Sequence, residues 1–136
     1  KSFVSNLYWK GDVEDNVFAL FRNKKGQVAS LHSTMTQWRH LFSLEIFMEQ
    51  GYIALNGLKT SSNSYGKEQL NIVKNRTKAP SATWTDEEEH FYSVDDSWER
   101  ELTIFRDAIL EDRPIEYCGI DDAVQLMEMV DQVYAQ

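Results

Sequence analysis

Leu41-Phe42-Ser43-Leu44-Glu45-Ile46-Phe47-Met48-Glu49 is the stretch whose reading decides the fold. In extended chain, successive side chains point to opposite faces. Phe42, Leu44, Ile46 and Met48 therefore share one wholly apolar face, and Leu41, Ser43, Glu45 and Phe47 share a mixed one. This is a strand with one side made for burial. It meets Gln50-Gly51, and residues 52–56 then resume in extended form as far as Gly57, which makes a tight hairpin.

Working outward, residues 2–9 carry Phe3, Val4, Leu7, Tyr8 and Trp9 and stop at the Gly11-Asp12 turn, so they read as an opening strand. Residues 14–23 set Val17, Ala19 and Phe21 against Phe18, Leu20 and Arg22; Lys24-Lys25-Gly26 follows, and residues 27–35 return as the second arm of a hairpin. Residues 70–73 and 90–94 add two short strands, for six or seven in all, and the polar stretches 59–67 and 75–86 read as exposed loops.

The pattern changes at Asp95-Asp96-Ser97. Asp96 with Glu99 fits a capping box, and Trp98, Leu102, Phe105 and Ile109 recur at helical spacing up to Pro114. A second helix opens near Asp121-Asp122, carboxylates suited to the positive end of the helix dipole, and carries Val124, Met127 and Val130 towards Tyr134. The expected fold is α+β: a single, largely antiparallel (mixed) sheet of about six strands with two C-terminal helices on one face. The Phe42, Leu44, Ile46 and Met48 face is the one to be covered, and the other face is left for oligomerisation.

The chain has 136 residues, the size of one domain, and 42% hydrophobic and 12% aromatic content is far above that of a disordered chain. A net charge of −8 opposes binding to nucleic acid or to anionic membrane surfaces, which rests on clustered Lys and Arg. No run nears the roughly 18 apolar residues of a spanning helix, and no basic-then-apolar signal opens the chain. With Cys118 as the lone thiol, a soluble cytoplasmic protein is expected. The start at Lys1, directly ahead of a strand, reads as a cut through a longer polypeptide.

Several motifs are weighed and set aside. Residues 51–60 have five residues between Gly51 and Gly57, and Leu58 stands before Lys59, so the phosphate-binding loop spacing fails; no Gly-x-Gly-x-x-Gly is present either. His32, His40 and His90 are widely separated and argue for no metal site. Glu87-Glu88-Glu89 could hold a hard cation but reads first as a solvated face, and Asn75-Arg76-Thr77 matches a glycosylation acceptor by chance. Thr36-Gln37-Trp38-Arg39-His40 is of greater interest. It is too long and bulky for a tight turn, and it combines a stacking surface in Trp38, an anion fork in Arg39 and directional hydrogen-bonding groups in Gln37 and His40. Such groups grip a polyhydroxylated or carboxylated small molecule; a loop whose tryptophan caps the core is the competing reading.

The ordered stretches Gly26-Gln27-Val28-Ala29-Ser30-Leu31-His32-Ser33, Phe42-Ser43-Leu44-Glu45-Ile46-Phe47-Met48-Glu49-Gln50-Gly51-Tyr52-Ile53, Gly57-Leu58 and Tyr65-Gly66-Lys67-Glu68 continue into Asp96-Ser97-Trp98-Glu99-Arg100-Glu101-Leu102-Thr103-Ile104-Phe105, Pro114-Ile115 and Val133-Tyr134. Together they resemble the C-terminal domain of the Gfo/Idh/MocA family of NAD(P)-dependent oxidoreductases across nearly the whole chain.

The resemblance implies that residues 1–136 are the substrate-side and oligomerisation domain of a two-domain enzyme whose Rossmann domain, outside this chain, binds NAD or NADP. It implies hydride transfer to or from a sugar, inositol or related polyol, and assembly as a homo-oligomer, dimer or tetramer, through the open sheet face. It places Gln37, Trp38, Arg39 and His40 near the substrate. The family's catalytic Lys lies in a Glu-Lys-Pro motif and an Asp-x-x-x-His pair on the helix before the sheet assists proton transfer; neither is expected here, proline standing only at 80 and 114 and no Asp being expected four residues before His32, His40 or His90. This chain is therefore expected to hold no catalytic, cofactor-binding or metal-binding residue and to be inactive alone. A free-standing small-molecule binding or cofactorless isomerase-type α+β domain, and a pure assembly module, are the alternatives.

Overall fold

The computed structural model describes residues 1–74, 84–115 and 117–135. Seven strands and two α-helices lie among them: β1 (Ser2–Ser5), β2 (Asn16–Arg22), β3 (Val28–Thr34), β4 (Ser43–Phe47), β5 (Gly51–Asn56), β6 (Glu68–Lys74), β7 (Glu88–Tyr92), α1 (Ser97–Leu110) and α2 (Ile120–Tyr134), with a 3-10 turn at Trp84–Asp86. The class is α+β, as expected. The single sheet is not: the strands form two antiparallel sheets, ordered β1-β2-β3 and β4-β5-β6-β7. Period-two alternation assigns each side chain a face but does not say which strands pair, and the link between β3 and β4 is no hairpin. The chain divides into two compact units, Lys1–Gln37 with Thr103–Gln136, and Trp38–Leu102.

In the first unit the β2–β3 hairpin closes through Asn23, whose Oδ1 accepts the Lys25 and Gln27 amides at 3.0 Å each, and through Gly26 at φ +86°. The face of β2 bearing Val17, Ala19 and Phe21 is the covered one, and Val133 of α2 packs on it. Ser2 Oγ donates to the Val133 carbonyl at 2.6 Å, pinning the end of α2 beside β1. At its start the Gly119 amide donates to Asp122 Oδ2 at 3.0 Å, so an acid of the first turn satisfies an otherwise orphaned donor. Phe3, Phe18, Leu20 and Val28, on the opposite face, stay exposed.

The expected opening strand over residues 2–9 ends early, at Ser5. Buried Asp15 is the cause: its Oδ2 accepts the Tyr8 and Trp9 amides at 2.8 and 2.9 Å and folds residues 6–14 into a loop.

In the second unit each strand pairs with the next. The register places Leu44 and Ile46 beside Leu55 and Ile53, and these beside Leu70 and Ile72, so the apolar face foreseen on β4 continues across three strands. Leu44 and Ile46 on it are 46% and 43% exposed. The well-buried side chains lie on the other face, where Ala54 is 2% and Asn71 6% exposed.

The boundary between the two units falls within α1. Asp95 holds its first residue, accepting from Ser97 Oγ at 2.7 Å. The capping-box role foreseen for Asp96 is replaced by an ion pair with Arg100 one turn on, at 2.7 Å.

The chain exposes 12062 Å². Among the described residues no large side chain is fully buried.

Candidate functional site

The segment after β3 begins with a hydroxyl relay: Thr34 Oγ1 accepts the Thr36 amide at 3.0 Å and contacts Thr36 Oγ1 at 2.8 Å. The Met35 amide donates to the Asp15 carbonyl at 2.8 Å, and Trp9 Nε1 donates to the Met35 carbonyl at 2.9 Å. These bonds end β3 and start an irregular run through Gln37, Trp38, Arg39 and His40. All four side chains are exposed, and Trp38 is fully so. The division between the two units falls between Gln37 and Trp38, so the structure groups Trp38, Arg39 and His40 in one unit and Gln37 in the other.

His40 meets Tyr65, a residue not foreseen as part of the site, with ring centroids 5.0 Å apart and planes tilted by 45°. Two residues on, the Phe42 carbonyl accepts the Gly57 amide at 2.9 Å. Gly57 sits at φ +70°, where an added Cβ would strike the Lys67 carbonyl oxygen and lie 3.0 Å from that of Tyr65. The loop is tied at its other end by the Lys59 amide, which donates to Glu68 Oε2 at 2.7 Å. Segments 38–42 and 57–68 are thus clasped together.

The three histidines differ in what they can offer a ligand. His32 lies flat on Phe18 at 4.0 Å between centroids, and its Nε2 contacts Asn16 Oδ1 at 3.0 Å. His90 Nε2 lies 2.9 Å from Glu88 Oε1, while Lys74 Nζ holds Glu88 Oε2 at 2.7 Å. Those two partners, Lys74 first, hold the Glu88 carboxyl below its ordinary range. Among the described residues only His40 has both ring nitrogens unengaged.

Contrary to the expectation that no Asp stands four residues before a histidine, Asp86 stands four residues before His90. The family pattern wants that pair on a helix; here it lies on the 3-10 turn and β7. Of the Glu87-Glu88-Glu89 run, Glu87 accepts from Asn71 Nδ2 at 2.6 Å and Glu88 is paired as above. Burial, then the charges of Glu87 and Glu45, push the Tyr52 hydroxyl up. No three His, Cys, Asp or Glu side chains among the described residues gather as a metal site would. Asn75-Arg76-Thr77 lies outside the described residues.

The first unit holds a cleft of about 370 Å³ between β2 and the last turns of α2, lined by Ser2, Ala19, Phe21, Arg22, Met129 and Gln132 among others. Lys1 and Leu20 also line it. No protein-family model, curated protein or solved structure matches the chain.

Proposed function

We propose that this chain is the substrate-side and association domain of an NAD(P)-dependent oxidoreductase of the Gfo/Idh/MocA kind, acting on a sugar, inositol or related polyol. NAD or NADP would be held by a Rossmann domain outside these residues. The ordered sequence stretches set out above raise the reading, and the outward presentation of Trp38, Arg39 and His40 is the observation that carries it. A fully exposed indole offers a stacking face to a sugar ring, an exposed guanidinium a fork for paired oxygens, and an unengaged imidazole a donor and an acceptor for hydroxyls.

A pure assembly module predicts that this loop is buried or disordered rather than facing a cleft; its four side chains are exposed. The exposed apolar side chains Phe18 and Leu20 of β2 and Leu44 and Ile46 of β4 support association with a second copy as well. Acid-base and hydride chemistry need groups in direct reach of the substrate hydroxyl, and in this reading the neighbouring domain supplies them.

The test uses the natural polypeptide that carries this chain, assayed for reduction of NAD or NADP with a panel of polyols and aldoses. Trp38→Ala and Arg39→Ala are expected to raise KM by about tenfold or more, as lost stacking or bidentate contacts do. Unchanged KM in both variants, or no nicotinamide reduction with any panel member, would refute it.

A further inference from the structure

We infer that Tyr65 is a positioning residue for His40, fixing the angle at which the imidazole is offered to the substrate. The inference deepens the function proposed above and rests on it.

His40 stands on an exposed, irregular segment. No described residue hydrogen-bonds its ring, and a histidine so placed ordinarily samples several rotamers. The tilted contact with Tyr65 at 5.0 Å restrains it through the ring rather than through a nitrogen. Both nitrogens therefore stay available, whereas a carboxylate or amide partner of the kind His90 and His32 have would occupy one.

Tyr65 can serve as a wall because its backbone passes close beside Gly57. It is half-buried, and its carbonyl lies 3.0 Å from the position a Gly57 Cβ would take. Gly57 in turn bonds to the Phe42 carbonyl, two residues beyond His40. The circuit from His40 along the chain to Phe42, across to Gly57, on to Tyr65 and back to the imidazole sets the ring pair by backbone geometry. Displacement of a substrate-positioning group by about 1 Å can cost two orders of magnitude in rate.

The experiment has two arms. In the first, the His40 ring-proton shifts are read by NMR in the wild-type protein, in Tyr65→Phe and in Tyr65→Leu. An aromatic wall predicts a ring-current shift kept by Tyr65→Phe and lost in Tyr65→Leu. Shifts that do not change in Tyr65→Leu overturn the inference whatever the protein's activity. In the second, the polyol KM and kcat are measured in the natural polypeptide. A rise in KM of about tenfold in Tyr65→Leu, with Tyr65→Phe near wild type, is the expected result. Lost ring current with unaltered KM and kcat overturns the positioning role. Absence of turnover in the wild type itself overturns the proposed function, and the first arm still decides whether Tyr65 orients His40. Should Tyr65→Leu fail to fold, Tyr65→Met keeps an unbranched side chain at the site while removing the ring current, and is read the same way.

Discussion

Tyr134, in the last turn of α2, donates its phenolic hydroxyl to the Glu14 carboxylate, which stands just before β2. The bond holds the Glu14 carboxyl below its ordinary range and pushes the Tyr134 phenol up. A lowered carboxyl contributes stability above its unfolded value and loses it as pH falls through the folded one. A raised phenol contributes below its unfolded value and loses it as pH rises through the folded one. The bond is therefore worth most between the carboxylate and phenol ranges. Tyr134→Phe should speed amide exchange in the last turn of α2 at neutral pH, and the difference from wild type should vanish in acid.

Asp15 governs residues 6–14 by the same chemistry at a buried position. The Trp9 amide, with lesser help from the Tyr8 and Leu7 amides, holds its carboxyl below the ordinary aspartate range against the opposing effect of burial. A depressed carboxyl supports the fold above its unfolded value and ceases to do so as pH falls through the folded one. Protection of the Tyr8 and Trp9 amides, relative to their intrinsic exchange, should thus fall in acid and become insensitive to acid in Asp15→Ala. Protection of those amides unaltered in Asp15→Ala would contradict this.

Val133 closes the small core over Val17 and Ala19. Truncating it removes two buried carbon groups, so Val133→Ala should cost about 2 kcal/mol in urea unfolding. Met127→Ala, on an exposed part of the same helix, should change little.

Alternation made the faces of this protein legible before any coordinates. Val17, Ala19 and Phe21 were separated in sequence from Phe18, Leu20 and Arg22, and the first set is the one that meets α2. All seven strands and both helices were foreseen within a few residues of their bounds. Sheet membership was not, because alternation along a strand carries no information about its neighbour. The early end of β1 was hidden too, since it depends on the Asp15 carboxylate gathering amides six and seven residues back along the chain. Gln37, Trp38, Arg39 and His40 were singled out by residue type. Tyr65 was out of reach, because a contact across 25 positions leaves no local signature.

Gly57 is the position where one methyl group should do most harm. Its φ of +70° costs an L side chain about 1 to 2 kcal/mol. The new Cβ would also meet the Lys67 carbonyl oxygen, a backbone atom that cannot swing away. Gly57→Ala should therefore destabilise the protein by more than about 2 kcal/mol. Gly66→Ala shares the positive φ but meets nothing within 4 Å, and should cost only the smaller, conformational part. Equal losses in the two variants would show that the carbonyl contact does not matter.

The apolar layer of Leu44, Ile46, Ile53, Leu55, Leu70 and Ile72 decides whether this chain associates with itself. Leu44 and Ile46 are exposed and the other four half-buried, and aliphatic side chains left open to water are unfavourable at about 25 cal/mol per Å². Lys74, Glu88 and His90 stand at one border of the layer, so an apolar centre is flanked by charge, the usual anatomy of a docking surface. In a two-fold pair each substitution enters the interface twice. Ile53→Lys, central in the layer, should turn a dimer seen by sedimentation into a monomer at tens of micromolar, a range where an interface of standard size otherwise holds. Val13→Lys, in the exposed loop before Asp15, should leave the dimer intact. A wild-type protein that sediments as a monomer there would remove association from the proposed function, and Ile53→Lys would then be expected to change nothing.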